Sequence, residues 1–205
     1  MASVSIQPLV LEVGASAPAR TLAAFIADAK ARPGRLNVGH SGNGTITHLA
    51  AEALKLHAGI DFLTVPYRGA APMLTDLIGG RIDAAMDNIA GSIEHIRSGR
   101  LHALAVTTST RSETLPSTPA LAEAVPGYEA YAIAGFAAPA GTPADVIRKL
   151  NAEINAGLAD AVLKERLSTL GVTLLPGTPA DFAKRIALET EKLARVIKLV
   201  GIRPN

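Results

Sequence analysis

The sequence predicts an α/β fold with largely parallel strands. Three observations lead there. Short apolar runs alternate with helix-period patterns through the first half of the chain. Glycine or proline falls where each of the early helix patterns stops. The 205 residues are 48% hydrophobic and 19% charged, enough apolar material for a sizeable core in one domain or two small lobes.

Strands are expected at Pro8–Val13, Leu36–Val38, Phe62–Val65, Ala84–Met86, Leu101–Thr107, Ala132–Ala137 and Val172–Leu175. Helix patterns between the early ones cover Thr21–Ala31, Thr45–His57, Ala70–Ile78 and Ser92–Ser98. The run Pro33–Arg35 stops the first helix, Gly59 the second, and Gly79–Gly80 the third. The stretch Thr107–Pro119, rich in Pro and Thr, reads as a connecting loop. Two helices should then run from Pro143 to Ala159 and from Asp160 to Leu170. Thr142 is the expected N-cap of the first, with Pro143 at its first helical position and Asp145 in its first turn. The start Gly-Thr-Pro-Ala-Asp recurs at Gly177–Asp181, before a last helix to about Leu199. In the first of these helices, Leu150, Ile154 and Leu158 form an apolar stripe at i, i+4 and i+8.

Composition excludes several classes. Net charge is +2, aromatic residues are 3%, and the basic residues form no stripe, so nucleic-acid binding has no support. With no cysteine there are no disulfides, thiol nucleophiles or thiolate metal sites. No apolar run reaches the roughly 18 residues of a membrane span. The start "MASVSIQPLVLEVG" has no basic segment and no clear cleavage site, so no signal peptide is expected within the chain. The five histidines show no metal-ligand spacing, His48 reads as a helix-surface residue, and no carboxylates pair at a readable spacing; no cofactor is expected.

Three strand–helix turns could hold a ligand. The first, "HSGNGT", presents Ser41, Asn43 and Thr45 as side-chain donors at a helix start, and Gly42 and Gly44 allow close backbone approach. An anion suits such a place, because unpaired N–H groups and the helix dipole both favour negative charge. The second, Pro66–Ala70, offers the Tyr67 hydroxyl, the Arg68 guanidinium and the N–H groups of Gly69 and Ala70. The third is Asp87 with Asn88, just past a buried strand. In parallel sheets, ligands bind outside the carboxyl ends of strands, and all three turns lie there. Each alone is equally an ordinary capped turn; their coincidence points to a site.

"GHSGN" also comes near the G-x-S-x-G nucleophile elbow, which would make Ser41 a hydrolase nucleophile. Asn43 stands where the motif has glycine. His48, His57, His95 and His102 fall inside helix or strand patterns, not on a loop beyond a strand end. No other catalytic constellation emerges. An effector-sensing module of a regulator is a further alternative by fold analogy alone.

The segments "LNVGHSGNGTITHLAAEALK", "VPYRGAAPMLTDLIGGRIDAAMDN", "GRLHALAVTTSTRSETLPSTPALAEAVPGYEA", "FAAPAGTP" and "GIRPN" resemble, in order, the substrate-binding proteins of tripartite tricarboxylate transporters, the Bordetella-uptake-gene (Bug) family. The specific motifs are S-G-N-G-T, V-P-Y-[RK]-G, the D-N after a strand, and A-P-A-G-T-P. The resemblance implies a type II periplasmic-binding-protein-like fold of two lobes that close on a small carboxylate in the periplasm. It also implies membrane components of the transporter as partners. It places ligand contacts at Ser41, Asn43, Gly44 and Thr45, in the Pro66–Ala70 turn, and at Asp87 and Asn88. On this reading Ala15 to Ala130 make a complete second lobe. Met1 to Gly14 and Tyr131 to Asn205 supply a crossing strand and the C-terminal part of an incomplete first lobe. Family members carry a secretion signal and a first lobe ahead of this region, and a small residue where this chain has His40.

Overall fold

One strand, β1 (Ala2–Gly14), ties the molecule together. In the computed structural model, which describes residues 1–201, it is followed by α1 (Leu22–Ala31), β2 (Asn37–His40), α2 (Ile46–Ala58), β3 (Leu63–Pro66), α3 (Ala70–Ile78), β4 (Ala84–Asn88), α4 (Ile89–Arg97) and β5 (Leu101–Val106). A short 3₁₀ turn at Leu121–Glu123 leads to β6 (Tyr131–Phe136), α5 (Ala144–Leu158), α6 (Ala161–Thr169), β7 (Thr173–Leu174) and α7 (Pro179–Val200). The end of the "GIRPN" motif, residues 202–205, lies outside the described residues.

The two halves of β1 serve two sheets. Leu9 to Gly14 pair with β4 on one side and β5 on the other, giving the order β3-β2-β4-β1-β5. Ala2 to Pro8 pair with β6, and Ser5 and Ile6 with β7. The sequence reading starts this strand only at Pro8, because Ser3, Ser5 and Gln7 interrupt the apolar run. Ser3 and Ser5 are nevertheless buried, and the Ser3 hydroxyl donates to Leu175 O at 2.6 Å.

The expectation of largely parallel strands needs correction. β2 runs parallel to β3 and to β4, but β1 is antiparallel to all four of its neighbours. The apolar pattern marks burial, and burial on both faces does not reveal direction.

Packing follows the period-2 alternation of β1. Leu9, Leu11 and Val13 join Phe25 of α1, Leu54 of α2 and Phe62 in one core layer. Val10, on the other face, meets Ile89 and Ile93 of α4. Burying each such side chain fully contributes about 1.5–3 kcal/mol. α2 begins at the Thr45 cap, whose hydroxyl accepts from His48 N, and ends at Gly59 in the left-handed conformation, φ 59°.

Thr107 closes the junction between the sheets. Its hydroxyl accepts from Leu9 N at 2.8 Å and lies 2.7 Å from Ala130 O, while its N–H donates to Leu9 O. β1, the end of β5 and the entry to β6 therefore meet at one buried side chain. The sequence reading puts Thr107 at the end of a strand and the start of a connecting loop, with no role of its own.

Beyond the junction burial thins out. α5 buries only Leu158, α6 buries nothing and α7 buries only Phe182. Of the apolar stripe on α5, Leu158 is covered while Leu150 stays 41% exposed. Thr142 is not the cap of α5. Its hydroxyl donates back to Pro139 O, and Pro143 holds the cap position without a side-chain bond. The repeat of that motif does cap α7, where Thr178 and Asp181 bond reciprocally.

Candidate functional site

Parallel pairing aligns the carboxyl ends of β3, β2 and β4. His40 faces Pro66 across β2–β3, and Gly39 faces Ala85 across β2–β4. The three turns that follow therefore sit along one edge of the sheet. Each leads directly into a helix N-terminus: α2, α3 or α4. Tyr67 N donates to His40 O at 3.0 Å, which stitches the first turn to the second.

The first turn is tightly organised from within. Gly42 has φ 137° and Gly44 φ 73°, both in territory that favours glycine. Ser41 N donates to Thr47 Oγ1 at 3.1 Å, and the Ser41, Thr45 and Thr47 hydroxyls form a chain at 2.8 and 2.9 Å. Gly44 N donates to His48 Nδ1 at 3.1 Å, while His40 Nδ1 lies 3.0 Å from Gly42 O and 3.3 Å from Gly42 N, so it either donates to the carbonyl or accepts from the N–H, not both. The expected backbone donor at Gly44 is thus already used by an imidazole, and the Gly42 peptide faces a second one. Among the described residues, Asn43 N, Asn43 Nδ2, Ile46 N and Thr47 N have no partner, and these are the donors left for an anion.

His48 is therefore not a surface residue. It is 8% exposed and stacks on buried His40, the ring centroids 4.2 Å apart and the planes 9° from parallel. Burial holds the His40 imidazolium at about 4, with the charge on His48 adding to the effect, so both rings are neutral at pH 7. A neutral His48 ring keeps its Nδ1 free to accept from Gly44 N. Glu52 lies 3.8 Å from His48 Nε2 and pairs with Lys55 at 2.9 Å.

In the second turn, Gly69 caps α3 with φ 103° and no side-chain bond, leaving the Gly69–Ala70 end of the turn open. The Tyr67 hydroxyl is not free: it donates to Asp76 Oδ2 at 3.0 Å, and Asp76 also pairs with Arg81. Burial, then this bond, raises the Tyr67 phenol. Arg68 is exposed.

In the third turn, Asp87 and Asn88 are the last residues of β4, not a loop beyond it. Asn88 is the N-cap of α4 and its side chain makes no capping bond, so it is available at the edge. Asp87 is fully buried and points instead into the α4 face of the sheet, where Glu12 and Ser92 meet it. It cannot touch a ligand at the edge. The sequence reading saw no carboxylate pair because Glu12 and Asp87 are 75 positions apart; only the β1–β4 register brings them together.

Ser41 has no base. Its hydroxyl is engaged with Thr47, and the neighbouring His40 Nδ1 faces Gly42. Among the described residues, no group of three His, Cys, Asp or Glu side chains could hold a metal, and no helix is long and apolar enough to cross a membrane. A cavity of about 420 Å³ lies between α2 and α7, with Ile46, Leu49, Ala53, Tyr128 and Val196 among its walls.

Two sheets strung on one shared strand, with helix N-termini gathered at the edge of the larger, make an α/β fold like that of the periplasmic binding proteins. The chain belongs to the tripartite tricarboxylate transporter receptor family, whose pattern matches residues 1–202. Solved proteins to which it is similar include these three. An R. palustris protein solved with adipate is 34% identical, with TM-score 0.91, covering 100% of this chain and 69% of that one. The periplasmic binding protein BugD is 29% identical, with TM-score 0.91 and the same coverage. MatC from Rhodopseudomonas palustris, solved with malate, is 28% identical, with TM-score 0.85, covering 96% of this chain and 68% of that one. The chain spans about 60% of the length of curated relatives to which it is 35% to 38% identical. The expected family and α/β binding-protein fold are thus established. The family is one of transport receptors, and the hydrolase reading of Ser41 is set aside.

Proposed function

We propose that this chain supplies the carboxylate-gripping lobe and the inter-lobe strand of a periplasmic solute-binding protein that delivers to the membrane components of a tripartite transporter. Residues 15–130 act as the second lobe, and residues 1–14 and 131–205 as the crossing strand and part of the first. The observation that carries this reading is the alignment of three helix N-termini at adjacent strand ends, with uncommitted donors at Asn43, Ile46, Thr47, Gly69 and Asn88. Ser41, Gly42, Gly44 and Thr45 shape the first turn, Pro66–Ala70 frames the second, and Asp87 anchors the third from behind. Adipate and malate in relatives' structures give the ligand class, a small carboxylate.

Energetics set the expected affinity. A charge near a helix N-terminus gains about 0.3–1 kcal/mol, and up to about 2 when partly buried. Each charge-assisted hydrogen bond adds about 1.5–3 kcal/mol. Association costs about 4–15 kcal/mol. One lobe supplies roughly half of the contacts in a two-lobed cleft, so binding by this chain should be weaker than about 1 mM, or −4.1 kcal/mol. The test is calorimetric titration with mono-, di- and tricarboxylates on this chain and on a chimera completed by the N-terminal third of a relative. The chimera should bind one class more tightly, and Asn43→Ala should weaken it. A chimera that binds no carboxylate, or one untouched by Asn43→Ala and Thr45→Ala together, contradicts the site.

A further inference from the structure

Behind the third turn lies a buried acidic pair that the ligand reading does not use. Glu12 on β1 and Asp87 on β4 are both 0% exposed. They lie on the same face of the sheet, since Glu12 pairs with Ala85 and Val10 with Asp87. Ser92, one turn into α4 and also 0% exposed, bridges them: its Oγ is 2.7 Å from Glu12 Oε1 and 3.2 Å from Asp87 Oδ2. A Cβ on Gly91 would sit 3.0 Å from Asp87 Oδ2, so the helix approaches this carboxyl as closely as a glycine allows.

Hydrogen-bond accounting decides the protonation. A serine hydroxyl carries one proton and can donate to one carboxylate at a time. Two ionised carboxylates on either side would leave one short contact without a hydrogen. Among the described residues, Glu12 Oε2 and Asp87 Oδ1 are buried with no partner, and neither carboxyl has a basic group within 4.0 Å. Two such charges in one dry pocket are prohibitive; the usual resolution is one retained proton.

We infer that Glu12 and Asp87 share a single proton through Ser92, in the relay Glu12 carboxylic acid to Ser92 hydroxyl to Asp87 carboxylate, and that this relay seats the N-terminus of α4 on β1. Glu12 is the protonated member. Asp87 directly precedes the N-cap of α4, where helix N–H groups favour negative charge. Glu12 sits mid-strand and has only Ser92. Burial pushes Glu12 well above the ordinary carboxylate range, and burial raises Asp87 to about 6. Of the other ionisable groups on the packed elements, Asp76 on α3 pairs with Arg81 and accepts from the Tyr67 hydroxyl. On α4, Glu94 pairs with Arg97, which also donates to Thr169 O, and His95 has a buried Nδ1 with no partner among the described residues. On β5, His102 contacts Arg20 O. None is within bonding distance of the pair.

The relay makes the seat of the third turn sensitive to pH. Raised folded values mean the folded chain holds protons that the unfolded chain releases. The stability so gained is fully present below the ordinary values of 4.5 for Glu12 and 3.8 for Asp87. It is lost as pH rises through the folded values. The inference stands apart from the ligand reading, and its test uses no ligand.

The experiment pairs urea denaturation from pH 5 to 9 with infrared spectroscopy of the 205-residue chain, wild type and Glu12→Gln. Glutamine mimics the protonated acid, so Glu12→Gln should match wild type at pH 5, exceed it at pH 9, and lose most of the decline between them. Wild type at pH 7 should show a buried carboxylic-acid C=O band that shifts when glutamate alone is carbon-13 labelled. An unchanged pH decline in Glu12→Gln overturns the relay. If that variant fails to fold, the wild-type spectrum still decides: no acid band at pH 7, or one unmoved by glutamate labelling, overturns it.

Discussion

His40 and His48 stack face to face at 4.2 Å, and His48 Nδ1 takes the N–H of Gly44. The first ligand turn is therefore held by two neutral imidazoles before any ligand arrives. Burial, then the His48 charge, depresses His40 to about 4. A depressed value means the unfolded chain binds the proton first. The stability is present above the ordinary 6.5 and is lost as pH falls through about 4. Wild-type urea midpoints should lose ground relative to His40→Ser as pH falls from 6.5 to 4. His48→Ala should cost about 1–3 kcal/mol, from one hydrogen bond and one ring stack. A His40→Ser profile that runs parallel to wild type across that pH range would count against the neutral stack.

Two glycines should respond in opposite directions. A Cβ on Gly39 would stand 2.6 Å from Ile82 Cδ1 and 2.9 Å from Met73 Cγ. Gly39→Ala should destabilise by about 1–3 kcal/mol through overpacking. Gly157, inside α5, has open space around its Cβ position. Gly157→Ala should stabilise by up to about 1 kcal/mol from helix propensity. Equilibrium denaturation of both variants checks the pair, and the same sign for both would be the wrong outcome.

The surface around β6 and α7 should make this chain associate with itself. Phe136 is 53% exposed, Leu188 58% and Leu199 72%, with Ile186 and Leu150 also open. Apolar surface in such amounts drives association. Light scattering should show mass rising with concentration; a monomer at every concentration would mean this face needs no partner.

Ser41 should be chemically inert. Its hydroxyl shares a chain with Thr47 and Thr45 and meets no imidazole. Hydrolysis of p-nitrophenyl acetate should equal background in wild type and in Ser41→Ala. A wild-type rate abolished by the substitution would revive the nucleophile.

Much of this was legible in the sequence. Periodicity located every strand and helix of the α/β region, because each apolar run is bounded by glycine, proline or a polar turn. Direction was not legible: β1 is antiparallel to its neighbours, yet its residues are apolar on both faces like those of a parallel strand. The three turns were found through their donors, since Gly, Ser, Asn and Thr at a helix start have a local physical meaning. What those donors bond to was not, because it depends on contacts made in the fold. His48 folds back onto Gly44, Tyr67 turns to Asp76, and Asp87 faces inward to Ser92. Glu12 carried no local signal, and Thr107 stood where a strand passes into a loop. Both owe their roles to pairing across 75 or more positions.

The central claim is that a small carboxylate binds at the shared edge of these three turns. The most direct measurement is a nitrogen-15 NMR titration of the 205-residue chain with adipate and malate up to tens of millimolar. The account predicts saturable shifts centred on the amides of Asn43, Ile46, Thr47, Gly69 and Asn88, fitting a dissociation constant above about 1 mM. Shifts absent from those amides, or centred on the cavity between α2 and α7, would contradict it.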